Sequence, residues 1–507
     1  MITRGIALPV RLSGAVWGHI VGDAMGVPYE FREPSEIREV RFGEPGTVHH
    51  EPPGTWSDDG ALMLALLDSL LTVGFDPEDQ GRRALSWQRD GAYTPDGRLF
   101  DIGNATSEAL RAIANGAAAE EAGPTHERSQ SNGSLMRILS LVLWARAERL
   151  DVGALADRAT RASKVTHGHP TCQVVCAVYT LVAASLLDDA EPRDALDAAF
   201  DALRLRYRPS GDAPDAALAG ALEELIDWPT KHEPEGRGGA LNAFWSAWAA
   251  FEGAADYRET IERAIRYGHD TDTTAAIAGG LAGIRWGLDG IPSEWFAGMR
   301  GREIVEPLVD RLLQAHGWTT STSNPIRVDW IDLAAVPGLG DAPGRLGMTF
   351  LPGKQYVGWQ GPAWRDLDRD VKRLREDHGC DLFLLLVEDH ELVSTRTTAL
   401  VEVFERHGIE LRRHPVVDMD VPIDGPAYRA MLEGLTAAIR EGRSVVVACR
   451  GGLGRTGTAV ACLLVDAGTE PDEAIAHTRA SRRNTIERGS QVALVRAWTS
   501  GPIDLKR

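Results

Sequence analysis

Cys449 is followed by five residues and then by Arg455 and Thr456, in the run Ser444-Val-Val-Val-Ala-Cys449-Arg-Gly-Gly-Leu-Gly-Arg455-Thr456-Gly457. That order suits the handling of a phosphoryl group. A thiolate at the floor of a loop made by Arg450, Gly451, Gly452, Leu453 and Gly454 would share that loop's backbone N–H groups with a phosphate dianion, and the Arg455 fork would hold the equatorial oxygens. The loop dipoles and the helix after them favour the ionised sulfur, and Thr456 can hydrogen-bond it as it leaves. A general acid must also protonate the leaving oxygen and then activate water against a phosphocysteine intermediate. Asp418, Asp420 and Asp424, in the run Arg413-His-Pro-Val-Val-Asp418-Met-Asp420-Val-Pro-Ile-Asp424, are the candidates.

A second chemistry lies far upstream. Thr55-Trp-Ser57-Asp58-Asp59-Gly60 and Gly268-His-Asp270-Thr-Asp272-Thr273 each gather carboxylates and a hydroxyl at the start of a helical stretch. One cap requires one such residue, whereas each cluster holds three. Together Ser57, Asp58, Asp59, Asp270, Asp272 and Thr273 make an all-oxygen ligand set suited to Mg²⁺, or to Mn²⁺, and not to zinc. The number of carboxylates suits two ions. Ala275, Ala278, Gly279, Ala282 and Gly283 line the helix that follows, so it can approach a neighbouring helix closely and bring the clusters together.

These residues need two kinds of scaffold. Val445–Ala448 reads as a buried strand before Cys449, and Thr458–Val465 as the helix after the loop. Apolar runs at Asp381–Val387 and Leu411–Val417 alternate with helical patterns near Trp364–His378, Ser394–His407 and Ala427–Glu441, which is an α/β layer architecture. From Gly14 to about Trp318 helical patterns alternate with short Gly/Asp-rich loops, predicting an all-α domain. The polar run Thr319–Pro325 is the expected linker, giving domains at 1–320 and 326–507. A length of 507 residues agrees with two domains.

The net charge of −19 argues against broad binding to nucleic acid or anionic membrane. Five scattered cysteines, an odd count, predict free thiols in a reducing compartment; Cys172 and Cys176 read as small buried residues. The N-terminus lacks the apolar core of a signal peptide, and no run reaches membrane-spanning length. The cytoplasm is the expected location.

The segment from Gly14 to about Gly287 resembles the ADP-ribosylglycohydrolases. The resemblance rests on Gly22-Asp-Ala-Met-Gly-Val-Pro-Tyr-Glu30-Phe31, Ser57-Asp58-Asp59, Asp101-Ile-Gly-Asn-Ala-Thr106, Ser131-Asn-Gly-Ser-Leu-Met-Arg137, Thr166-His-Gly-His-Pro170 and Gly268-His-Asp-Thr-Asp-Thr273, in that order. It implies an all-α fold, two Mg²⁺ ions on the six ligands above, ADP-ribose over them, and Glu30 as a metal-adjacent acid/base. Asn104, Thr106, Asn132, Gly133 and Ser134 would then contact the diphosphate and ribose. His167, His169 and His269 are left outside the ligand set. Two departures are notable: Ser57 stands where threonine is more frequent, and Gly60 where a second threonine often follows, removing a possible ligand and adding flexibility.

From Ile326 to about Trp498 the chain is similar to the kinase-associated dual-specificity phosphatases, through Leu351-Pro-Gly, Asp381-Leu-Phe-Leu-Leu, His414-Pro-Val-Val-Asp418, the Cys449–Thr456 loop and Gln491. This implies Asp418 as general acid and Gln491 as an accessory residue near the loop. Those enzymes usually carry histidine before the cysteine, where this chain has Ala448, so weaker thiolate activation is expected. The combined expectation is a bifunctional hydrolase acting on an ADP-ribosylated protein, nucleic-acid end or small molecule and on a phosphorylated substrate. The alternatives are a regulatory sensor of ADP-ribose or phosphate and a hydrolase of another nucleoside conjugate.

Overall fold

Glycines at every fourth position shape the first helix, α1 (Leu8–Gly26), which is buried along nearly its whole length. Gly14, Gly18, Gly22 and Gly26 share one face. A Cβ on Gly14 would lie 2.3 Å from the carbonyl oxygen of Gly283, one on Gly18 2.4 Å from that of Gly279, and one on Gly22 2.2 Å from that of Ala275. α1 and the Thr271–Trp286 helix therefore touch backbone to backbone, the close approach expected from the small residues of the second helix. Gly26 ends this ladder against Asp272 itself, where an added Cβ would lie 2.4 Å from the Asp272 Cα.

In this computed structural model, residues 6–46, 48–208, 213–358 and 361–498 are described. The chain divides into two compact units, Met1–His316 and Gly317–Arg507. The first is helical, and among its described residues β pairing is limited to the isolated bridge Ser131↔Gly239. Its helix Pro170–Leu187 is long and apolar enough to cross a membrane by length and composition, contrary to the expectation from run lengths. With 78% of that stretch buried inside the structure, it is a core helix of the unit.

The second unit is α/β. Its mixed five-stranded sheet has the order β1-β2-β7-β5-β6, built from β1 (Asp329–Trp330), β2 (Arg345–Phe350), β5 (Leu382–Leu385), β6 (Glu410–Arg413) and β7 (Ser444–Cys449). β1 is antiparallel and the other pairings are parallel. A hairpin, β3 (Gln355–Gly358) and β4 (Gly361–Trp364), stands apart from the sheet. β5 and the Val445–Cys449 stretch of β7 are wholly buried, which is why they read as unbroken apolar runs and not as alternating ones. Of the run Leu411–Val417, only the first three residues belong to a strand, β6. Beyond it, the N–H groups of His414 and Val416 donate to Leu385 and Leu386 at 3.0 Å and carry the chain to Asp418.

The polar run 319–325, expected to be a linker, packs within the second unit. Thr320 and Ser321 are buried. Thr319 pairs with Ala363, and Arg365 donates to the carbonyl of Asn324 at 2.7 Å. Hydroxyl groups that look like linker composition are used here as local hydrogen-bond partners.

Candidate active sites

In the first unit, Ser57 caps α2 (Asp58–Val73), accepting from the N–H of Asp59 at 3.3 Å. The turn is held from below by Asp23 of α1, whose carboxylate accepts from the N–H groups of Ser57, at 2.9 and 3.1 Å, and of Gly60, at 2.7 Å. Gly60 is not a loss of order. A Cβ there would lie 2.8 Å from the Trp56 ring and 2.9 Å from Ile20, so glycine lets the helix start sit on both. Asp270 precedes the Thr271–Trp286 helix and accepts from Asn132 Nδ2 at 2.8 Å. Thr273 Oγ1 donates to Asp59 Oδ2 at 3.1 Å, joining the two clusters directly.

Glu30 reaches the same place from the turn after α1. A reciprocal pair fixes its position: Phe31 N–H donates to His269 at 2.6 Å, and His269 N–H to Arg32 at 2.9 Å. Oxygen atoms of Glu30, Asp101 and Asp272 lie within 4.8 Å of one another. Glu30 Oε2 also meets His49 Nε2 at 2.6 Å. Burial, followed by repulsion from Asp101 and Asp270, pushes the Glu30 carboxyl up to about 9. Burial likewise raises Asp58, Asp59 and Asp272 well above the usual carboxylate range, and Asp23 to about 7.

Asp59 Oδ1 and Asp272 Oδ2 are buried without a hydrogen-bond partner. Among the described residues, no lysine or arginine pairs with Glu30, Asp58, Asp59, Asp101, Asp270 or Asp272; the histidine on Glu30 is the one basic contact. Crowded carboxylates, orphaned oxygens and no basic counter-charge beyond that contact form a donor set that fits hard divalent cations.

The residues expected to contact substrate divide. Thr106 has a buried, unpartnered hydroxyl. It lies beside Gly133, where a Cβ would come within 3.1 Å of that hydroxyl and 2.7 Å of the buried His167 ring. Asn132 ties the loop to Asp270, and Asn104 is exposed at a helix start. The Ser134 hydroxyl is turned into the core, accepting from Ser163 at 2.9 Å and Cys176 at 3.4 Å, which leaves the backbone of this loop position as the group a ligand would meet. Asp23, His49 and Asp101 were not singled out from sequence. Asp23 and Asp101 sit inside the quoted motifs, which was the available signal; His49 has none.

In the second unit, Cys449 ends β7 paired with Phe350 of β2. The chain then turns through Gly452, at φ 72°, where a Cβ would lie 2.2 Å from the carbonyl oxygen of Thr349, and enters the Gly454–Asp466 helix. A pocket over the sulfur is lined by Tyr356, Asp418, Arg450, Leu453, Arg455 and Gln491, among others. Thr456 Oγ1 and Arg455 Nε are buried there without a partner.

Arg455 is gripped by a residue that sequence reasoning missed. Glu391, 1% exposed, takes both its terminal nitrogens at 2.6 and 2.8 Å. Burial raises the Glu391 carboxyl, but bonding to Arg455 outweighs it and leaves the group below its usual range. Asp418 pairs with Arg455 at 2.8 Å and with Arg450. Asp420 and Asp424 bind the local N–H groups of Val421 and Ala427. Gln491 is fully buried and accepts from the N–H of Glu487 at 3.0 Å.

Residues 7–321 match the family model of the ADP-ribosylglycohydrolases, and residues 318–475 that of cyclin-dependent kinase inhibitor 3. The chain is 26% identical over 309 residues to an ADP-ribosylarginine hydrolase, Tri1, of Pseudomonas putida, covering 60% of this chain and 77% of that protein. A solved structure of an ADP-ribosylglycohydrolase-related protein complex matches at 33% identity and a TM-score of 0.50, covering 61% of this chain and 99% of the other. Cyclin-dependent kinase inhibitor 3 of Rattus norvegicus is 28% identical over 141 residues, covering 28% of this chain and 62% of that protein.

Proposed function

Since the chain belongs to the ADP-ribosylglycohydrolase family through residues 7–321 and carries a phosphatase domain of the cyclin-dependent kinase inhibitor 3 type, we propose that it is a bifunctional hydrolase. The first unit cleaves ADP-ribosyl linkages, with ADP-ribosylated arginine, the substrate named for the Pseudomonas relative, as the first to test. The second removes phosphate from a monoester through a phosphocysteine.

One observation supports the first activity above the others: Asp272, with a buried, unpartnered oxygen, converges with Glu30 and Asp101, and among the described residues no lysine or arginine pairs with them. Ser57, Asp58, Asp59, Asp270, Asp272 and Thr273 would hold two Mg²⁺ ions, which when bound supply Lewis-acid polarisation of the ribose hydroxyls and of water. Glu30, oriented by His49, gives a proton to the leaving nitrogen or takes one from the water that attacks the anomeric carbon. Asn132 fixes Asp270, and Thr106 and Gly133 offer polar groups to the ligand.

In the second unit Cys449 attacks phosphorus. The incoming dianion takes up donors of Arg455 and Arg450, which releases Asp418 from its two guanidinium partners; once it has taken a proton from solvent, Asp418 gives it to the leaving oxygen as the P–O bond breaks, and then takes one from the water that attacks the phosphocysteine. Thr456, its hydroxyl free, stabilises the departing sulfur. Five free cysteines suit a reducing compartment, and the cytoplasm is the proposed location.

The test is product analysis by mass spectrometry after incubating the full chain, with Mg²⁺, on ADP-ribosylarginine and phosphotyrosine peptides. Free ADP-ribose is expected, lost with chelator, Glu30→Gln or Asp272→Ala; phosphate is expected, lost with Cys449→Ser. Ligand binding without turnover at either site would replace this reading with a sensor.

A further inference from the structure

Ala448, immediately before the cysteine, brings no side-chain charge to the floor of the phosphate loop, and it is buried between Thr349 and Leu385 of the neighbouring strands. A cation reaches that floor from elsewhere. Lys354, 5% exposed, follows the turn Pro352-Gly353, whose Gly353 N–H is anchored on Asp370 at 2.9 Å. Its Nζ donates to the carbonyl of Arg450, the residue after Cys449, at 3.3 Å. It lies 4.5 Å from the ring centroid of Phe350, the β2 partner of Cys449, and 5.5 Å from that of Tyr356, which lines the pocket.

The other charges around it are accounted for. Arg365 is bound through two nitrogens by Asp370 at 2.7 Å each, Arg482 is paired with Asp329, and Arg450 with Asp418. Among the described residues Lys354 makes no ion pair; the neighbours that favour its charged form are Cys449 and, less strongly, Asp370. A buried ammonium without a carboxylate is costly unless another anion answers it.

We propose that Lys354 is the positioning cation of the phosphate loop, its ammonium fastening the carbonyl of Arg450, the residue next to Cys449, so that it supplies the positive charge that Ala448 does not. This rests on Cys449 being the nucleophile. Burial, and then Arg365, draw the lysine down to about 8, so it remains charged at neutral pH.

The experiment follows iodoacetamide alkylation of Cys449 against pH in the full chain, read by peptide mass spectrometry, for the wild type, Lys354→Met and Lys354→Arg, with melting curves for each. An opposite charge within about 4–6 Å shifts an acid's titration by about 1–3 units. The expected result is an alkylation midpoint at least about one pH unit higher in Lys354→Met and near wild type in Lys354→Arg. A folded Lys354→Met with an unmoved midpoint overturns the proposal. If that variant does not fold, the wild type alone decides: a native midpoint no lower than that of the chain in urea also overturns it. Hydrolysis of p-nitrophenyl phosphate by the wild type, abolished in Cys449→Ser, separates the two readings. Where it holds and Lys354→Met leaves the midpoint unchanged, only the role of Lys354 fails; where it is absent, the phosphatase reading itself fails.

Discussion

Gly22→Ala should damage the first unit far more than one methyl group suggests. The new Cβ would sit 2.2 Å from the carbonyl oxygen of Ala275, against 3.4 Å for an ordinary contact, and the obstacle is backbone that cannot rotate away. α1 and the Thr271–Trp286 helix must therefore part by about an ångström. Overpacking with a backbone shift costs about 3 kcal/mol at the upper end of its usual range. For a unit of this size, Met1–His316, that lowers the melting temperature by roughly 4–5 °C. The displaced residues neighbour Asp23 and Asp272, and misplacing reacting groups by such a distance costs about 100-fold in turnover. Gly220, in the Ala213–Asp227 helix, is the control. Its Cβ would meet open space, so Gly220→Ala should stabilise by about 0.5–1 kcal/mol. Thermal melts with and without Mg²⁺, together with ADP-ribose release, read both effects. A Gly22→Ala chain melting within about 1 °C of wild type and releasing ADP-ribose at the same rate would refute the argument that helix contact sets the site.

Three further outcomes are expected. Burial first, then mutual repulsion, raise Glu30 to about 9, and burial raises Asp23 to about 7, so the metal-free fold holds protons that the unfolded chain has released. Its stability therefore falls as pH rises from the ordinary carboxylate range towards about 9, and the melting increment given by Mg²⁺ over chelator should be larger at pH 8.5 than at pH 6; equal increments would contradict this. Glu391→Gln leaves a buried Arg455 short of its main counter-charge, so denaturant titration should show a loss of about 3 kcal/mol, accompanied by loss of phosphate release. Asp418→Asn should slow tyrosyl phosphate hydrolysis about 100-fold or more but p-nitrophenyl phosphate much less, because the better leaving group needs little protonation; equal slowing of both would remove Asp418 from the acid role.

What could be read from sequence was what is local in the chain. Strand, loop and helix around Cys449 are contiguous, so spacing and apolar pattern place the sulfur, the glycines and Arg455 together before any long-range contact is known. The two aspartate clusters were visible for the same reason, as ligand types concentrated at helix starts. Their meeting was only inferable, from the small residues beyond Thr273, and it rests equally on a glycine ladder in α1, of which Gly14 and Gly18 lie outside every quoted motif.

The groups that tune these sites were not legible, because each arrives from a separate element with no local signature. Glu391 looks like a helix-start carboxylate and His49 like a loop histidine. Lys354 looks like a turn lysine, and Ser134 like a loop hydroxyl though it serves the core. Sequence by itself determined the helical and α/β classes and pointed to the two proposed chemistries and their ligand types, since these depend on residue identity and short-range periodicity. Tertiary structure alone decided which buried charges answer one another, because burial and distance across the fold govern the strength of an ionic contact and neither is a property of chain spacing.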